Sequence, residues 1–215
     1  MARRNLPVQQ PASFPDRQPR LGATVHGILL AAGTSSRYGK ANKLLATVDG
    51  QPLVRHAAEA LLASAVDGIT VVVGHEADYV TAALEALPVT VRLNKAYAEG
   101  QSISVQTGIE RAAAQDADAA LVALGDMPNV DPTSVDLLVD AYERGVADVV
   151  AAAYEGKRGN PVLFDVRFFD ELTDVDGDVG GRRLLTESDA AVAIETADPA
   201  VLCDVDRPSD LDKAR

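Results

Sequence analysis

The chain has 215 residues, a formal net charge of −12 and a hydrophobic content of 47%, whereas aromatic residues make up only 4%. This length predicts one domain, and the composition predicts a core of aliphatic side chains. The negative charge argues against binding to nucleic acids and to anionic membranes, because both would repel an acidic protein.

The first 23 residues contain four prolines, two consecutive glutamines and no hydrophobic periodicity, which predicts a disordered tail before a domain at 24–215. No apolar segment follows Arg3 and Arg4 to form a secretion signal, and none has the length of a membrane span. The single cysteine, Cys203, fits a reducing compartment, and its apolar neighbours predict a buried thiol. We therefore expect a cytoplasmic protein.

From Val25 onwards, strand-like and helix-like segments alternate. Strands are predicted at 25–31, 69–73, 89–93, 119–124, 147–152, 161–164, 191–194 and 201–203. Helices are predicted at 52–64, 77–87, 102–115 and 132–144. This alternation implies right-handed β-α-β units and predicts an α/β fold with a doubly wound, mainly parallel sheet. Ligands of such sheets bind beyond the carboxyl ends of the strands.

The loop after the first strand is small, glycine-bearing and basic. Small residues allow backbone N–H groups to approach an anion, and Arg37, Lys40 and Lys43 add positive charge, so the loop predicts a polyphosphate cradle. The loop is not a P-loop, because five residues instead of four separate Gly33 from Gly39 and no Ser or Thr follows Lys40. It also lacks the glycine spacing of the dinucleotide fingerprint.

A second candidate site follows the predicted strand at 119–124, in the sequence Gly125-Asp126-Met127-Pro128. A carboxylate at this position can hold Mg²⁺, which keeps most of its waters and binds substrate phosphates. From the residues alone, Asp126 could equally be a helix cap or a turn residue.

The first loop resembles the signature loop of the nucleotidyltransferases related to the molybdenum cofactor cytidylyl- and guanylyltransferases. The matching residues are Leu30, Ala31, Ala32, Gly33, Ser35, Arg37, Gly39, Lys43, Leu44 and Leu45. Five later segments resemble motifs of the same family, at 94–104, 125–128, 159–164, 177–185 and 204–211. In the last of these, Arg207 stands where the family carries Thr.

The resemblance implies a Rossmann-like nucleotidyltransferase, in which an acceptor phosphate attacks the α-phosphorus of a nucleoside triphosphate and releases pyrophosphate. It assigns Arg37, Lys43 and Asp126 to catalysis, with Mg²⁺ held by Asp126 and Asp206. The expected contacts to the nucleotide are Leu30, Ala31, Ala32, Gly33, Ser35, Gly100, Ser102, Ser104 and Gly125. The expected contacts to the acceptor are Asn160, Pro161 and Arg182.

The sequence Ala31-Ala32-Gly33 resembles the cytidylyl branch, since the guanylyl branch carries a second glycine. We therefore favour CTP and the phosphate of the molybdopterin cofactor as substrates, with a molybdenum hydroxylase as a candidate partner. Two alternatives stay open. The chain could be a cytidylyl- or guanylyltransferase for another small phosphate, such as methylerythritol phosphate or a phosphosugar. It could also be a non-catalytic accessory protein that binds the cofactor for a molybdenum hydroxylase.

Overall fold

In the computed structural model, residues 6–14, 19–39, 41–174, 184–185 and 190–213 are described. Their strands are β1 (Val8–Gln9), β2 (Val25–Ala31), β3 (Thr47–Val48), β4 (Gln51–Pro52), β5 (Gly68–Val73), β6 (Thr90–Leu93), β7 (Ala119–Leu124), β8 (Val149–Tyr154), β9 (Lys157–Asp165) and β10 (Ala191–Glu195). Their α-helices are α1 (Leu53–Leu62), α2 (Ala77–Ala83), α3 (Gln101–Ala113), α4 (Pro132–Glu143) and α5 (Phe169–Thr173).

The main sheet confirms the predicted α/β architecture. Its described strands lie in the order β1-β10-β8-β9-β7-β2-β5-β6, while β3 and β4 form a separate hairpin. All neighbours in the main sheet are parallel except β9, which runs antiparallel to both β7 and β8. The sequence predicted a strand within β9 but not its direction. The link from β8 to β9 is short enough for a hairpin, and a hairpin joins antiparallel strands.

Strand β2 lies at the centre of the sheet, and all seven of its residues are buried. Leu29 belongs to a core cluster on the face covered by α1 and α4, whereas Ile28 belongs to a cluster on the face covered by α3 and α5. Burial on both faces explains why this strand reads as a continuous apolar run instead of an alternating one.

One predicted strand is wrong. Residues 201–203 were expected to be extended, but Pro199–Leu202 forms a 3₁₀ turn that starts at a proline and is capped by the side chain of Asp198, which accepts from the N–H of Ala200. Val201 takes the buried position in this turn. The prediction of a buried thiol is also wrong, because Cys203 is exposed, with its Sγ 3.3 Å from the carbonyl oxygen of Pro199.

Part of the segment that was expected to be a disordered tail contacts the domain. β1 pairs in parallel with β10, with Val8 opposite Ala193. Backbone pairing of this kind needs no hydrophobic pattern, which is why composition gave no signal for it. The domain boundary at residue 24 stays a prediction. Among the described helices, none combines the length and apolar character needed to cross a membrane.

Candidate active site

A cavity of about 440 Å³ opens at the carboxyl ends of β2 and β7, where a doubly wound sheet binds its ligands. The loop after β2 forms one wall, and the turn after β7 contributes Asp126. Its lining consists of Leu30, Ala32, Gly33, Thr34, Ser35, Ser36, Arg37, Tyr38, Lys43, Leu44, Tyr97, Ala98, Gly100, Gln101, Ser104, Leu124, Asp126, Asp204 and Asp206.

Ser35 holds the loop after β2 in shape. Its hydroxyl oxygen accepts from the N–H of Lys43 at 3.1 Å and its hydroxyl donates to Oδ1 of Asn42 at 3.3 Å. The same Asn42 oxygen accepts from the N–H of Leu44, so it caps the short turn that carries Lys43. These bonds fix the backbone of Lys43 and leave its side chain free to reach into the cavity.

The backbone of this loop offers donors to an anion. No described residue accepts a hydrogen bond from the N–H groups of Gly33, Thr34 or Ser36. A Cβ atom at Gly33 would have no neighbour within 4 Å, so the space beside it is open. Unpaired N–H groups beside an open volume form the kind of concavity that binds phosphate.

Lys43 lies between two carboxylates. Its Nζ is 2.5 Å from Oδ2 of Asp126 and 2.9 Å from Oδ1 of Asp206, while Arg37 forms an ion pair with Oδ2 of Asp206. Burial lowers the pKa of Lys43, but the two carboxylates outweigh it, so the net shift is upward. The hydrogen bond from Lys43 keeps the pKa of Asp206 below its ordinary value, helped by the charges of Arg37 and Arg207.

Three carboxylates converge on this site and could hold a metal ion. Asp126, Asp204 and Asp206 each offer an oxygen atom, and these atoms lie within 4.8 Å of one another. The N–H of Val205 donates to the carbonyl oxygen of Asp126, which joins the 204–206 segment to the turn after β7. A set of carboxylate oxygens suits a hard divalent cation such as Mg²⁺.

The other end of the cavity is less charged and contains an aromatic ring. A Cβ atom at Gly74 would lie 2.5 Å from Cβ of Tyr97 and 2.9 Å from Cβ of Ala32, so only glycine permits these two side chains to pack there. Gly100, at φ +138°, starts α3 in a conformation that favours glycine. Ser104 on α3 accepts from the side-chain amide of Asn94 at 2.9 Å.

Comparison with known proteins supports the chemistry of this cavity. Residues 27–192 match the model of the MobA-like NTP transferase domain. The chain belongs to this family. It is 31% identical over 191 residues to nicotine blue oxidoreductase of Paenarthrobacter nicotinovorans, covering 85% of this chain and 92% of that protein. It is 28% identical over 212 residues to a probable molybdenum cofactor guanylyltransferase of Natronomonas pharaonis, covering 88% and 96%.

The same relationship appears in the fold. A nucleotidyl transferase from Methanothermobacter thermautotroptrophicus superposes with a TM-score of 0.77 at 25% identity, covering 90% of this chain and 97% of that structure. The protein is therefore a MobA-like nucleotidyltransferase with a Rossmann-like fold, as the loop after β2 predicted.

Several residues expected at this MobA-like site do line the cavity. They are Leu30, Ala32, Gly33, Ser35, Arg37, Lys43, Gly100, Ser104, Asp126 and Asp206. Three others lie close by without lining it. Ala31 is buried at the end of β2, Gly125 donates from its N–H to the carbonyl oxygen of Leu30, and the hydroxyl of Ser102 is buried without a partner among the described residues.

Two of the residues expected at the acceptor do not line this cavity. Asn160 and Pro161 line a separate small cavity, together with apolar side chains that include Leu29 and Met127. Arg182 lies outside the described residues, as does Lys40. Their contacts with an acceptor stay predictions.

Asp204 and Asn42 are functional residues that the sequence did not predict. Asp204 precedes Asp206 in the same motif, from which the resemblance implied Asp206 alone as a metal ligand. Asn42 could have been found from its place before Lys43-Leu44-Leu45, since Asn often caps a short helical turn. Arg207 does not disrupt the turn where the family carries Thr, because the carboxylate of Asp210 accepts from the N–H groups of Asp206 and Arg207.

Proposed function

We propose that this MobA-like nucleotidyltransferase transfers CMP from CTP to the phosphate of the molybdopterin cofactor and releases pyrophosphate. One observation carries the proposal: Arg37, Lys43 and a cluster of carboxylates meet in a single cavity, beside a loop whose N–H groups at 33, 34 and 36 have no acceptor among the described residues. That combination suits a substrate with several phosphates, since it provides donors, cations and ligands for a metal.

The reaction needs charge neutralisation more than proton transfer. An acceptor phosphate is already an anion at neutral pH, so it can attack the α-phosphorus without a general base. The protein then has to align the two phosphates and stabilise the charge that develops as pyrophosphate leaves. Lys43, beside Asp126 at the base of the cavity, would contact the α-phosphate, and the more exposed Arg37 would contact the leaving pyrophosphate.

Asp126 and Asp206 would hold Mg²⁺, with Asp204 as a third oxygen ligand. When bound, the ion would neutralise the triphosphate and help to hold it for in-line attack. The described residues fit this role, because all three ligands are carboxylates and two of them are partly shielded from solvent.

The preference for CTP rests on the cavity wall beside β2. Ala32 is buried and packs close to Gly74 and Tyr97, so its methyl group cannot move away from the nucleotide. A pyrimidine fits beside this methyl group more easily than a purine. GTP is the competing nucleotide, because the Natronomonas pharaonis relative is named a probable guanylyltransferase.

The proposal is tested by pyrophosphate release from CTP, GTP, ATP and UTP with molybdopterin and with a panel of other small phosphates. CTP with molybdopterin should give the highest kcat/KM. In Ala32→Gly, the preference for CTP over GTP should relax by roughly 10-fold or more, within the ~10–200-fold range that one methylene-sized contact provides.

Ala31→Gly is the matched control, because it removes the same methyl group from the adjacent residue, which does not line the cavity. It should leave the ratio of CTP to GTP unchanged. A wild type that prefers GTP, or an unchanged ratio in Ala32→Gly, would contradict the assignment of CTP. Absence of turnover with every pair of substrates would favour the accessory-protein alternative.

A further inference from the structure

The ammonium group of Lys43 lies between two of the three carboxylates of the cluster. It contacts one oxygen atom of Asp126 and one of Asp206, and Arg37 contacts the remaining oxygen of Asp206. Asp126 and Asp206 are also two of the three carboxylates that could hold a divalent cation. A metal ion bound by both Asp126 and Asp206 would therefore lie beside the ammonium group of Lys43 and share its carboxylates.

We propose that Lys43 is an internal counter-cation that hinders divalent metal binding at Asp126 and Asp206 until a triphosphate draws its ammonium group away. The proposal deepens the proposed function and rests on it for the identity of the triphosphate. Its physical basis is that two cations in contact with the same carboxylates repel each other and compete for the same lone pairs.

The side chain of Lys43 can move without moving the loop. Its backbone is held by the hydroxyl of Ser35 and by the turn that Asn42 caps, but its side chain lines an open cavity. Within the described residues, the side-chain hydrogen bonds of Lys43 go only to Asp126 and Asp206. A flexible stem and three rotatable donors allow the ammonium group to exchange a carboxylate for a phosphate oxygen.

The exchange has a thermodynamic consequence. Phosphate contacts that remove Lys43 from the carboxylates raise the affinity of the site for metal. By linkage, metal bound at the carboxylates raises the affinity for triphosphate by the same factor. The protein without nucleotide should therefore bind a divalent cation weakly, although three carboxylates lie together.

The test measures Mn²⁺ binding without any nucleotide, by the loss of the EPR signal of free Mn²⁺. Lys43→Met should bind Mn²⁺ about tenfold more tightly than the wild type, within the ~5–150-fold range of ordinary coupling between sites. Lys43→Arg keeps the charge and should bind as weakly as the wild type. Adding Asp126→Asn to Lys43→Met should abolish the gain.

Arg144→Met is the control for net charge. It removes one positive charge, as Lys43→Met does, but it lies after α4 at the opposite edge of the sheet, where its partner is Asp140. It should leave Mn²⁺ affinity unchanged. Circular dichroism checks that each variant folds, and Lys43→Gln replaces Lys43→Met if that variant does not.

Equal Mn²⁺ affinity in the wild type and in the neutral variants of Lys43 would overturn the proposal. An equal gain in Arg144→Met would also overturn it, because the effect would then come from net charge alone. The assay contains no substrate, so failure of the proposed CTP reaction would leave a positive Mn²⁺ result standing, and the two failures can be distinguished.

Discussion

The side of the sheet at which its parallel strands end, here called the carboxyl edge, can be compared with the side at which they begin, the amino edge. Both sides carry basic side chains beside aspartates. At the carboxyl edge, Lys43 and Arg37 contact Asp126 and Asp206 around an open cavity. At the amino edge, Arg20 forms an ion pair with Asp148, and its guanidinium also donates to the carbonyl oxygen of Tyr142 at 3.0 Å.

The partners at the two edges differ in kind. Arg20 also donates to the carbonyl oxygen of Ala147 and lies over the ring of Tyr142, with its Cζ 4.6 Å from the ring centre. The hydroxyl of Tyr142 in turn donates to Asp165, which is buried. The partners of Arg20 include backbone carbonyl groups and the ring of Tyr142, which are fixed parts of the fold. A substrate therefore cannot take their place beside Arg20. The same residue types thus stabilise the fold at one edge and remain exchangeable at the other.

The largest expected effect is on turnover at the carboxyl edge. Asp126→Asn should fold normally yet lose roughly two to three orders of magnitude in kcat, which is the scale of one key electrostatic contact. The measurement is pyrophosphate release at saturating Mg²⁺. Asp148→Asn, at the amino edge, is the matched control and should keep its kcat. Near-wild-type turnover in Asp126→Asn would remove this carboxylate from the mechanism.

The next effect concerns stability at the amino edge. Arg20→Met removes the hydrogen bonds that Arg20 donates to Asp148 and to two carbonyl oxygens, so the free energy of unfolding should fall by roughly 2 kcal/mol. Urea denaturation measures this change. Arg144→Met breaks only an exposed pair within α4 and its cap, and should change stability by less than about 0.5 kcal/mol. Equal losses of unfolding free energy in the two variants would mean that Arg20 contributes no more to stability than an ordinary exposed ion pair.

The smallest effect is a pH dependence at the amino edge. Burial, together with the hydrogen bond to Asp165, raises the pKa of Tyr142 above its ordinary value. The unfolded chain therefore loses this proton first, so the stability that the neutral side chain contributes is present below pH ~10 and is lost as the pH rises further. Between pH 9 and 11 the free energy of unfolding should fall more steeply in the wild type than in Tyr142→Phe, by about 1 kcal/mol. Parallel slopes would contradict this role.

The two edges also differ in how far the sequence predicts them. Most residues of the carboxyl-edge site fall in short segments directly after buried strands, such as Gly33 to Lys43 after β2 and Asp126 after β7. A local pattern can therefore identify them, and the topology of a parallel sheet brings the segments together.

No local sequence pattern predicts the contacts of Arg20 with Asp148 and Tyr142 at the amino edge. Arg20 and Asp148 are 128 residues apart, and Arg20 comes from the segment that composition marks as a tail. The pairing of β1 with β10 uses backbone groups, and the direction of β9 depends on a hairpin. Contacts of this kind follow from the folded chain as a whole, so local hydrophobic patterns do not reveal them.

The most direct test of this contrast is the kinetics of Lys43→Ala beside those of Arg20→Met. If the ammonium group of Lys43, once the bound triphosphate has drawn it from its carboxylates, stabilises the charge that develops on the α-phosphate in the transition state, kcat for Lys43→Ala should fall about 100-fold, which is more than the loss of affinity for CTP. Arg20→Met should keep its kcat at a temperature where it is folded. A raised KM with unchanged kcat in Lys43→Ala would make Lys43 a binding residue only, and would contradict its assignment to catalysis at the carboxyl edge.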